Sequence, residues 1–237
     1  TPTFTGGDPL VPIDETVEPT FADGSKEKNI PGQGSYTITP DGAVTFTPDK
    51  QFVGKPDPIT VKRVDKNGTP VTAKYTPTVT PVTPTAAPAE TTDIQGATQT
   101  GTPTFEGATV QVNGQDKAIT IKDNSYTLLD NDGNEVTSTP AYAADRTTEI
   151  GTYSIDSATG QVTFTPTDKS YTGVVTPAKV QAESSNGIKV DTTYTPEIVP
   201  VTPTATPAET EDIQGATQSG KPAFEGGKTT VNGKEET

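Results

Sequence analysis

Four residue types are missing from the 237-residue sequence: cysteine, histidine, tryptophan and methionine. Without cysteine the chain can form neither disulfides nor thiolate metal sites. Without histidine it lacks the usual general base and the usual nitrogen ligand, so a hydrolytic triad would need a Ser or Thr paired with Lys. Acidic residues are plentiful, yet no carboxylate pair is singled out by its spacing. We therefore expect a protein that is not an enzyme, with no cofactor and no catalytic, cofactor-binding or metal-binding residues.

Long apolar runs are also missing. No stretch approaches the roughly 18 continuous apolar residues of a membrane span, and no signal-peptide h-region is present. Basic residues number 17 against 31 acidic ones, which gives a net charge of −14. Nucleic acids and anionic membranes attract clusters of Lys and Arg, so we expect neither as a partner. We expect targeting and anchoring signals in other parts of a longer protein.

The apolar content is low but of a particular kind. Leu, Ile, Val and Phe make up about 18% of the chain, which together with a high net charge approaches the composition of disordered proteins. However, Thr is the most frequent residue, and the apolar residues are mostly Val and Ile, which favour strands. No segment shows a sustained 3.6-residue period. The sequence therefore predicts an all-β fold with small cores.

A long internal repeat organises the chain. Residues 81–101 and 200–220 are identical at eighteen of twenty-one positions. Shorter matches recur upstream in the same order: GSYTI at 34–38 with GTYSI at 151–155, VTFTP at 44–48 and 162–166, NG at 67–68 and 186–187, and YTP at 75–77 and 194–196. A repeat of about 100 residues has the size of an independent domain and is too long for a solenoid unit.

The repeat predicts three units, arranged as beads on a string. The first unit spans 1–84, the second spans 85–203, and the start of a truncated third spans 204–237. The second unit carries an insertion near 106–139. Each full unit holds several short strand patterns with a turn about every 10 residues, which indicates a tandem array of Ig-like β-sandwiches.

Two hairpins are predicted most clearly, around Asn67-Gly68 and Asn186-Gly187. Asn-Gly is typical of a type I′ turn, in which both central residues have positive φ.

The stretch between the units is rich in proline. The residues are Pro77, Pro81, Pro84 and Pro88, with counterparts Pro196, Pro200, Pro203 and Pro207. Because proline donates no ladder hydrogen bond, we do not expect a central strand there. Two interpretations stay open: a semi-rigid polyproline spacer of about 3.1 Å per residue, or an edge strand followed by a short linker.

Eleven of the fourteen aromatic residues recur at equivalent positions, and we interpret them as core residues. They are Phe4, Phe105 and Phe224, Tyr36 and Tyr153, Phe46 and Phe164, Phe52 and Tyr171, and Tyr75 and Tyr194. Phe21 and Tyr142 are a further candidate pair. Tyr126 has no counterpart, and it is the one candidate for an exposed ring that stacks on a carbohydrate.

Residues 130–135, with the sequence DNDGNE, superficially resemble a calcium loop. The EF-hand pattern requires Gly at its sixth position and a bidentate Glu at its twelfth, and these positions hold Glu135 and Ala141. We predict a hairpin turn at Asp132-Gly133 instead.

Self-catalysed cross-links are a separate chemistry. An isopeptide bond needs a Lys and an Asn or Asp on neighbouring strands, whereas Asn67 and Asn186 lie in predicted turns. A Thr–Gln ester stays open, because Gln99 and Gln218 recur among many Thr residues.

The recurring strings resemble the CshA-type fibril repeat of streptococcal surface adhesins. The first unit reads GSYTI…DGAVTFTP…FVG…VKRVDKNGTPVTAKYTPTVTP, and the second reads GTYSI…GQVTFTP…YTG…SNG…TTYTPEIVP. The resemblance implies an extracellular protein, anchored to the cell wall of a Gram-positive bacterium, whose tandem repeats form a fibril. It implies neighbouring repeats as partners within the chain, and host cell or matrix components as partners of the parent protein through a distal adhesive region.

Two functions stay open at this point: a structural stalk, or a repeat that itself binds a host matrix protein or glycan. We expect a monomer. A competing hypothesis is strand exchange between molecules. If residues 93–95 form the first strand of a unit, their copy at 212–214 could add to an unpaired edge of the first unit in another molecule.

Overall fold

The computed structural model describes residues 1–7 and 10–236. These residues form 24 strands and no helix, which confirms the all-β prediction, and they contain no helix capable of crossing a membrane. Asp8 and Pro9 in the predicted first unit, and Thr237 in the predicted third, lie outside the described residues. The chain divides into two compact units. The first comprises residues 1–83, 109–118 and 186–188, and the second comprises 84–108, 119–185 and 189–237.

The first unit is a sandwich of two three-stranded antiparallel sheets. Its strands are β1 (Thr20–Phe21), β2 (Glu27–Ile30), β3 (Gly34–Ile38), β4 (Val44–Pro48), β5 (Ile59–Val64) and β6 (Pro70–Tyr75). One sheet has the order β1-β5-β6 and the other β2-β3-β4. Alternation in β3 buries Tyr36 and Ile38 and exposes Thr37, as the period of two residues in a strand requires. Phe21 and Val61 from the opposite sheet complete a small core.

The second unit is larger. Residues 85–106 form β7 (Thr85–Ala87), β8 (Ala89–Ile94), β9 (Gln99–Gly101) and β10 (Thr104–Glu106). The next strands, β11 (Ala108–Val112) and β12 (Gln115–Ile119), form a two-stranded sheet whose residues 109–118 belong to the first unit. Residues 127–199 form β13 (Thr127–Leu129), β14 (Glu135–Val136), β15 (Ser138–Tyr142), β16 (Glu149–Ile155), β17 (Val162–Pro166), β18 (Gly173–Val174), β19 (Ala178–Glu183) and β20 (Lys189–Val199). The remaining strands are β21 (Thr204–Thr206), β22 (Ala223–Glu225), β23 (Thr229–Val231) and β24 (Lys234–Glu236).

Two sheets enclose the core of the second unit. The larger has the order β14-β13-β19-β20-β18, with β8 also paired to β20, and the smaller has the order β15-β16-β17-β9. The core takes Leu128 and Val180 from the larger sheet and Tyr153 and Phe164 from the smaller. The sandwich prediction is therefore confirmed for both units. The arrangement β1-β5-β6 recurs as β13-β19-β20, and β2-β3-β4 recurs as β15-β16-β17.

The hairpins at Asn67-Gly68 and Asn186-Gly187 are confirmed as connections of β5 to β6 and of β19 to β20, but the type I′ prediction is wrong. Only the glycine of each pair has positive φ, 81° at Gly68 and 79° at Gly187. In the first hairpin Asp65 sets the turn, because its carboxylate accepts hydrogen bonds from the backbone N–H of Asn67 and of Thr69. Such a turn places only its last residue in the left-handed region.

Type I′ geometry occurs elsewhere, at Asn113-Gly114 between β11 and β12 and at Asn232-Gly233 between β23 and β24. In both hairpins the two turn residues belong to the same VNG string. The first lies in the stretch that the sequence indicated as an insertion of the second unit, 106–139, and it recurs at the end of the chain.

The expectation that these prolines would not lie in a central strand is wrong at Pro196. This residue lies inside β20, which pairs with both β18 and β8. Its carbonyl accepts a hydrogen bond from the backbone N–H of Val175 at 2.9 Å. Of the two interpretations of the junction, the edge strand describes 89–94.

Of the eleven recurring aromatic residues, all but Phe52 and Phe224 lie in or against the two cores, and the prediction needs two corrections. Phe21 is equivalent to Leu128 and not to Tyr142, because Phe21 pairs with Val61 on β5, as Leu128 pairs with Val180 on β19. The second correction is that Phe224, in the third copy, is 79% exposed.

Candidate functional site

The segment that connects the units, residues 85–106, folds as one structural element, which we call the junction clip. Its base is closed by β7 and β10, in which Ala86 pairs with Phe105. From this base β8 adds to β20 of the larger sheet in parallel, and β9 adds to β17 of the smaller sheet in antiparallel. The junction clip therefore covers one edge of each sheet.

The turn between β8 and β9 is formed by local chemistry. Gly96 has φ of +78°, which a glycine adopts without strain, and the backbone N–H of Ala97 donates to the carbonyl of Ile94 at 3.1 Å. The side chain of Gln95 then ties the turn to the rest of the unit. Its Nε2 donates to the carbonyl of Ser170 at 3.0 Å, and its Oε1 accepts from the N–H of Val201 at 2.8 Å.

A buried polar triad holds the two strands of the junction clip. Gln99 is only 3% exposed, and its Nε2 donates to the carbonyl of Glu197 on β20 at 2.9 Å. Its Oε1 accepts from the hydroxyl of Thr91 at 2.6 Å, and the hydroxyls of Thr91 and Tyr194 lie 2.7 Å apart. Buried polar groups cost free energy when they lose their partners, so each member depends on the others.

Tyr194 is at the centre of this arrangement. Its ring is fully buried, and burial raises the pKa of its hydroxyl above the ordinary value. Because the Thr91 hydroxyl donates its proton to Gln99, the Tyr194 hydroxyl donates to Thr91. The backbone of Gly101 lies directly against the ring: a Cβ there would lie 2.3 Å from Tyr194 Cε2. Only glycine allows β9 to approach the ring this closely.

The sequence did not indicate the triad as a site. The strong repetition of 81–101, which contains both Thr91 and Gln99, could have marked this segment as important. The partner Tyr194 lies about 100 residues further along, so the contact depends on a pairing that the sequence does not display.

Tyr126, the candidate carbohydrate-stacking residue, borders a polar groove of about 710 Å³. The groove is lined by hydroxyl, amide and charged side chains, including Ser125, Gln181 and Glu183. The ring of Tyr126 is half-buried: it packs against Phe105 with a centroid distance of 5.6 Å, and it lies against the backbone of Gly160. Much of the ring surface is thus used within the unit.

The stretch 130–135 forms the hairpin turn between β13 and β14. The carboxylate of Asp130 accepts hydrogen bonds from the N–H of Asp132 and the N–H and side-chain amide of Asn134, which lowers the pKa of Asp130. Its oxygens therefore organise the turn. Across residues 1–7 and 10–236, acidic side chains nowhere gather in a group of three or more that could hold a metal ion.

The residues considered for a cross-link are placed as follows. Asn67 and Asn186 lie in turns. Gln99 accepts a hydrogen bond from the Thr91 hydroxyl, whereas the side-chain amide of Gln218 donates to the Thr210 hydroxyl at 2.6 Å. The hydroxyl of Thr91 contacts the neutral Gln99 amide and the neutral Tyr194 hydroxyl, neither of which is a base strong enough to activate it at neutral pH.

Comparison with known proteins gives one strong relation. The family model described as the surface adhesin CshA repetitive domain matches residues 1–79 and 81–198. The NMR structure of repeat domain 13 of the fibrillar adhesin CshA from Streptococcus gordonii is 89% identical over a match covering 30% of this chain and 92% of that domain. Its TM-score is 0.18, so the sequence identity, and not the superposition, carries the relation.

Two protocadherin structures were also matched, and they carry no argument. The PcdhgB3 EC1-4 structure is 13% identical, covers 84% of this chain and 46% of its own, and has a TM-score of 0.31. The protocadherin GammaB4 extracellular domain is 12% identical, covers 82% and 30%, and has a TM-score of 0.26. A comparison with curated proteins gave no match.

The matched family is a structural, non-enzymatic kind of protein, in which a repeat domain forms one part of a longer surface adhesin. This relation gives the chain the role of an adhesin repeat and an extracellular location at the cell surface. With a family match across both units, the chain belongs to the CshA surface adhesin repetitive-domain family.

Proposed function

We propose that the chain is a load-bearing part of a fibrillar stalk, anchored in the cell wall, that projects a distal adhesive region away from the cell. The observation that carries this proposal is the parallel pairing of β8 with β20, from Ala89 opposite Tyr194 to Ile94 opposite Val199. These two strands lie near the two ends of the predicted second repeat, 85–203, where force would enter and leave.

The direction of the strands determines how the ladder responds to tension. A pull on the chain before Ala89 and after Val199 moves two parallel neighbours in opposite directions along their own axes. The hydrogen bonds between them are then loaded together in shear. In an antiparallel hairpin pulled at its open end, the same bonds would break one after another. The junction clip therefore supports a mechanical role.

The buried triad strengthens the same pairing. Gln99 donates to the carbonyl of Glu197 on β20, and the Thr91 hydroxyl on β8 contacts Tyr194 on β20. Sliding of β8 along β20 would break these buried contacts in addition to the backbone ladder. The polar side chains thus act against the displacement that tension would cause.

Single-molecule pulling on the 237-residue chain tests the proposal. We expect two unfolding events, and the released length, at about 3.5 Å per residue, identifies the unit. The second unit should unfold at the higher force, because the described part of the first unit has no strand equivalent to β8. Gln99→Ala should lower the force of the second unit only. Gln218→Ala, the same substitution in the exposed copy, is the matched control. A second unit that yields at no higher force than the first would overturn the proposal.

The alternative is that the repeat itself binds a host matrix protein or glycan, and the groove beside Tyr126 is the candidate binding site. Because Phe105 and Gly160 occupy part of the ring surface, we favour the stalk. A glycan array probed with the intact chain separates the two functions, since a stalk repeat should bind no glycan above background.

A further inference from the structure

We propose that Asn113-Gly114, at the tip of the β11–β12 hairpin, is a site of spontaneous covalent modification, where the asparagine is converted to aspartate and isoaspartate while the protein stays folded. The only co-reactant is water. The inference does not rest on the mechanical role of the chain.

The reaction begins when the backbone nitrogen of Gly114 attacks Cγ of Asn113. A bond forms between these two atoms, the bond from Cγ to Nδ2 breaks, and the proton of the Gly114 N–H leaves with Nδ2 as ammonia. Water then opens the five-membered succinimide. Cleavage between the nitrogen and Cγ gives aspartate, and cleavage between the nitrogen and the backbone carbonyl carbon gives isoaspartate. Glycine favours the attack, because it has no Cβ to obstruct the nitrogen.

The chain contains four Asn-Gly pairs, all at hairpin turns, and the structure divides them into two classes. At 67–68 and 186–187 only the glycine has positive φ, whereas at 113–114 and 232–233 both residues do. The class determines what the attacking nitrogen does in the folded protein.

The nitrogen of Gly114 is available, and that of Gly68 is not. Asn113 and Gly114 have φ of 52° and 74°, and in such a turn the hydrogen bond is donated by the residue that follows the pair. The N–H of Gly68, by contrast, is itself the donor of its turn, to the carbonyl of Asp65 at 2.9 Å. Attack from Gly68 therefore requires the loss of this hydrogen bond.

The cost of opening the turn favours the same site. The succinimide ring fixes ψ of the asparagine at a value that a tight turn does not have, so the turn must open before the attack. β11 and β12 form a sheet of only two strands, and a hairpin of this kind is marginally stable by itself. Residues 115–118 of β12 are also exposed. We therefore expect the tip at Asn113 to open at low free-energy cost.

The turn between β5 and β6 resists this opening. β5 is the central strand of a three-stranded sheet, and its Val61 is fully buried. The carboxylate of Asp65 accepts hydrogen bonds from the N–H of Asn67 and of Thr69, and the N–H of Asp65 donates to the carbonyl of Thr69 at 3.0 Å. Asn67 and Asn113 are both exposed, so access of water does not distinguish them.

Asn232 should react at a rate between the two. Its hairpin, β23 with β24, is also a two-stranded sheet. However, Asn232 Nδ2 donates to the carbonyl of Thr92 at 3.5 Å, and this contact holds the group that must leave.

The product changes the hairpin in two ways. Each conversion adds one negative charge, and isoaspartate also adds one carbon to the path of the backbone. A two-residue turn has no room for this extra atom, so the pairing of β11 with β12 is lost at the tip. The proportion of chains changed in this way increases with the age of the molecule.

The test uses the intact 237-residue chain in mildly alkaline buffer, in which the attacking nitrogen loses its proton more readily. Peptide mapping by mass spectrometry at successive times detects each conversion, because oxygen replaces NH, and chromatography separates aspartate from isoaspartate. We expect Asn113 to convert at least about tenfold faster than Asn67, a ratio that corresponds to a difference of about 1.4 kcal/mol in the cost of reaching the reactive state.

Two controls assign the difference to the turns. In denaturant the two rates should become similar, because neither turn is then formed. In the folded chain, Asp65→Ala should raise the rate at Asn67 and leave the rate at Asn113 unchanged. Asp130→Ala is the matched variant, because it removes the carboxylate that organises another hairpin turn, and it should change neither rate.

Three outcomes would overturn the inference. The first is an Asn67 that converts as fast as Asn113 in the folded chain. The second is a tenfold difference that persists in denaturant, which would assign it to the neighbouring residues in the sequence. The third is an unchanged rate at Asn67 in Asp65→Ala.

Discussion

The two units share one design and differ in how completely it is built. In both, three neighbouring strands with β5 or β19 at their centre face three others with β3 or β16 at their centre. In both, a buried tyrosine, Tyr36 or Tyr153, donates to a backbone carbonyl. The second unit adds β8 and β9, and with them Phe164 and Tyr194 become fully buried, whereas Phe46 and Tyr75 stay half-buried. The difference shows that a unit depends on the segment that precedes its sheets.

The largest effect should come from filling the space that Gly101 leaves for Tyr194. In Gly101→Val the side chain would overlap the ring, since even a Cβ would lie 2.3 Å from it, so β9 or the ring must move. We expect the second unit to lose about 3 kcal/mol, because overpacking a core costs about 1–3 kcal/mol and sometimes more. Calorimetry should show one transition moved to lower temperature and the other unchanged.

Gly220→Val is the control, because this glycine holds the position of Gly101 in the copy of the junction clip at 204–225, and a Cβ there would face only the side chains of Thr210 and Ala208. It should move neither transition. A Gly101→Val chain with both transitions in place would mean that the junction clip contributes nothing to the second unit.

A smaller effect should come from the triad. Gln99→Ala removes the donor to the carbonyl of Glu197 and the acceptor of the Thr91 hydroxyl, so buried polar groups lose their partners. We expect a loss of about 2 kcal/mol in the second unit, within the range for such groups. Chemical denaturation measures it, and Gln218→Ala should change the free energy of unfolding by less than about 0.5 kcal/mol, as exposed substitutions do. Equal effects of the two substitutions would contradict the assignment.

Low pH should destabilise both units and reduce the difference in stability between them. Carboxylates at turns in each unit accept hydrogen bonds that hold their pKa below the ordinary value. In the first unit these are Asp14, Asp23 and Asp41, and in the second Asp130, Asp145, Asp156 and Asp168. The hydroxyl and N–H of Thr148 and the N–H of Thr147 lower the pKa of Asp145 to about 2.

A carboxyl whose pKa is lower in the folded state stabilises the protein above its unfolded pKa, and this contribution disappears as the pH falls through the folded pKa. We therefore expect both calorimetric transitions to move to lower temperature between about pH 4 and pH 2. Asp145→Asn should weaken this dependence slightly, and in the second transition only. A transition that is independent of pH in this window would show that these turns carry no folding energy.

Much of the fold could be predicted from the sequence, because local patterns determine it. The Asn-Gly strings located the hairpins β5–β6 and β19–β20 correctly. The turn type at Asn67 was missed, since it depends on the carboxylate of Asp65. The equivalence of Phe21 with Leu128 was missed because a position in a sheet, and not the residue type, is what recurs.

The site was harder to predict for a physical reason. The prolines around 77–88 left both a polyproline spacer and an edge strand open. Whether Ala89–Ile94 then becomes a strand depends on β20, about 100 residues later, and no local pattern encodes a parallel neighbour at that distance.

The separation between β8 and β20 also affects folding kinetics. Ala89 and Tyr194 must meet across the whole length of the second unit, so their pairing closes a long loop, and contacts of this kind form late and slowly. The hairpins of the sheets, by contrast, connect residues close in sequence and can form first. During synthesis from the N-terminus, the second unit cannot close until β20 has emerged. After forced extension its recovery should lag behind that of the first unit, so a fibre of such repeats would dissipate work in each cycle of stretching and release.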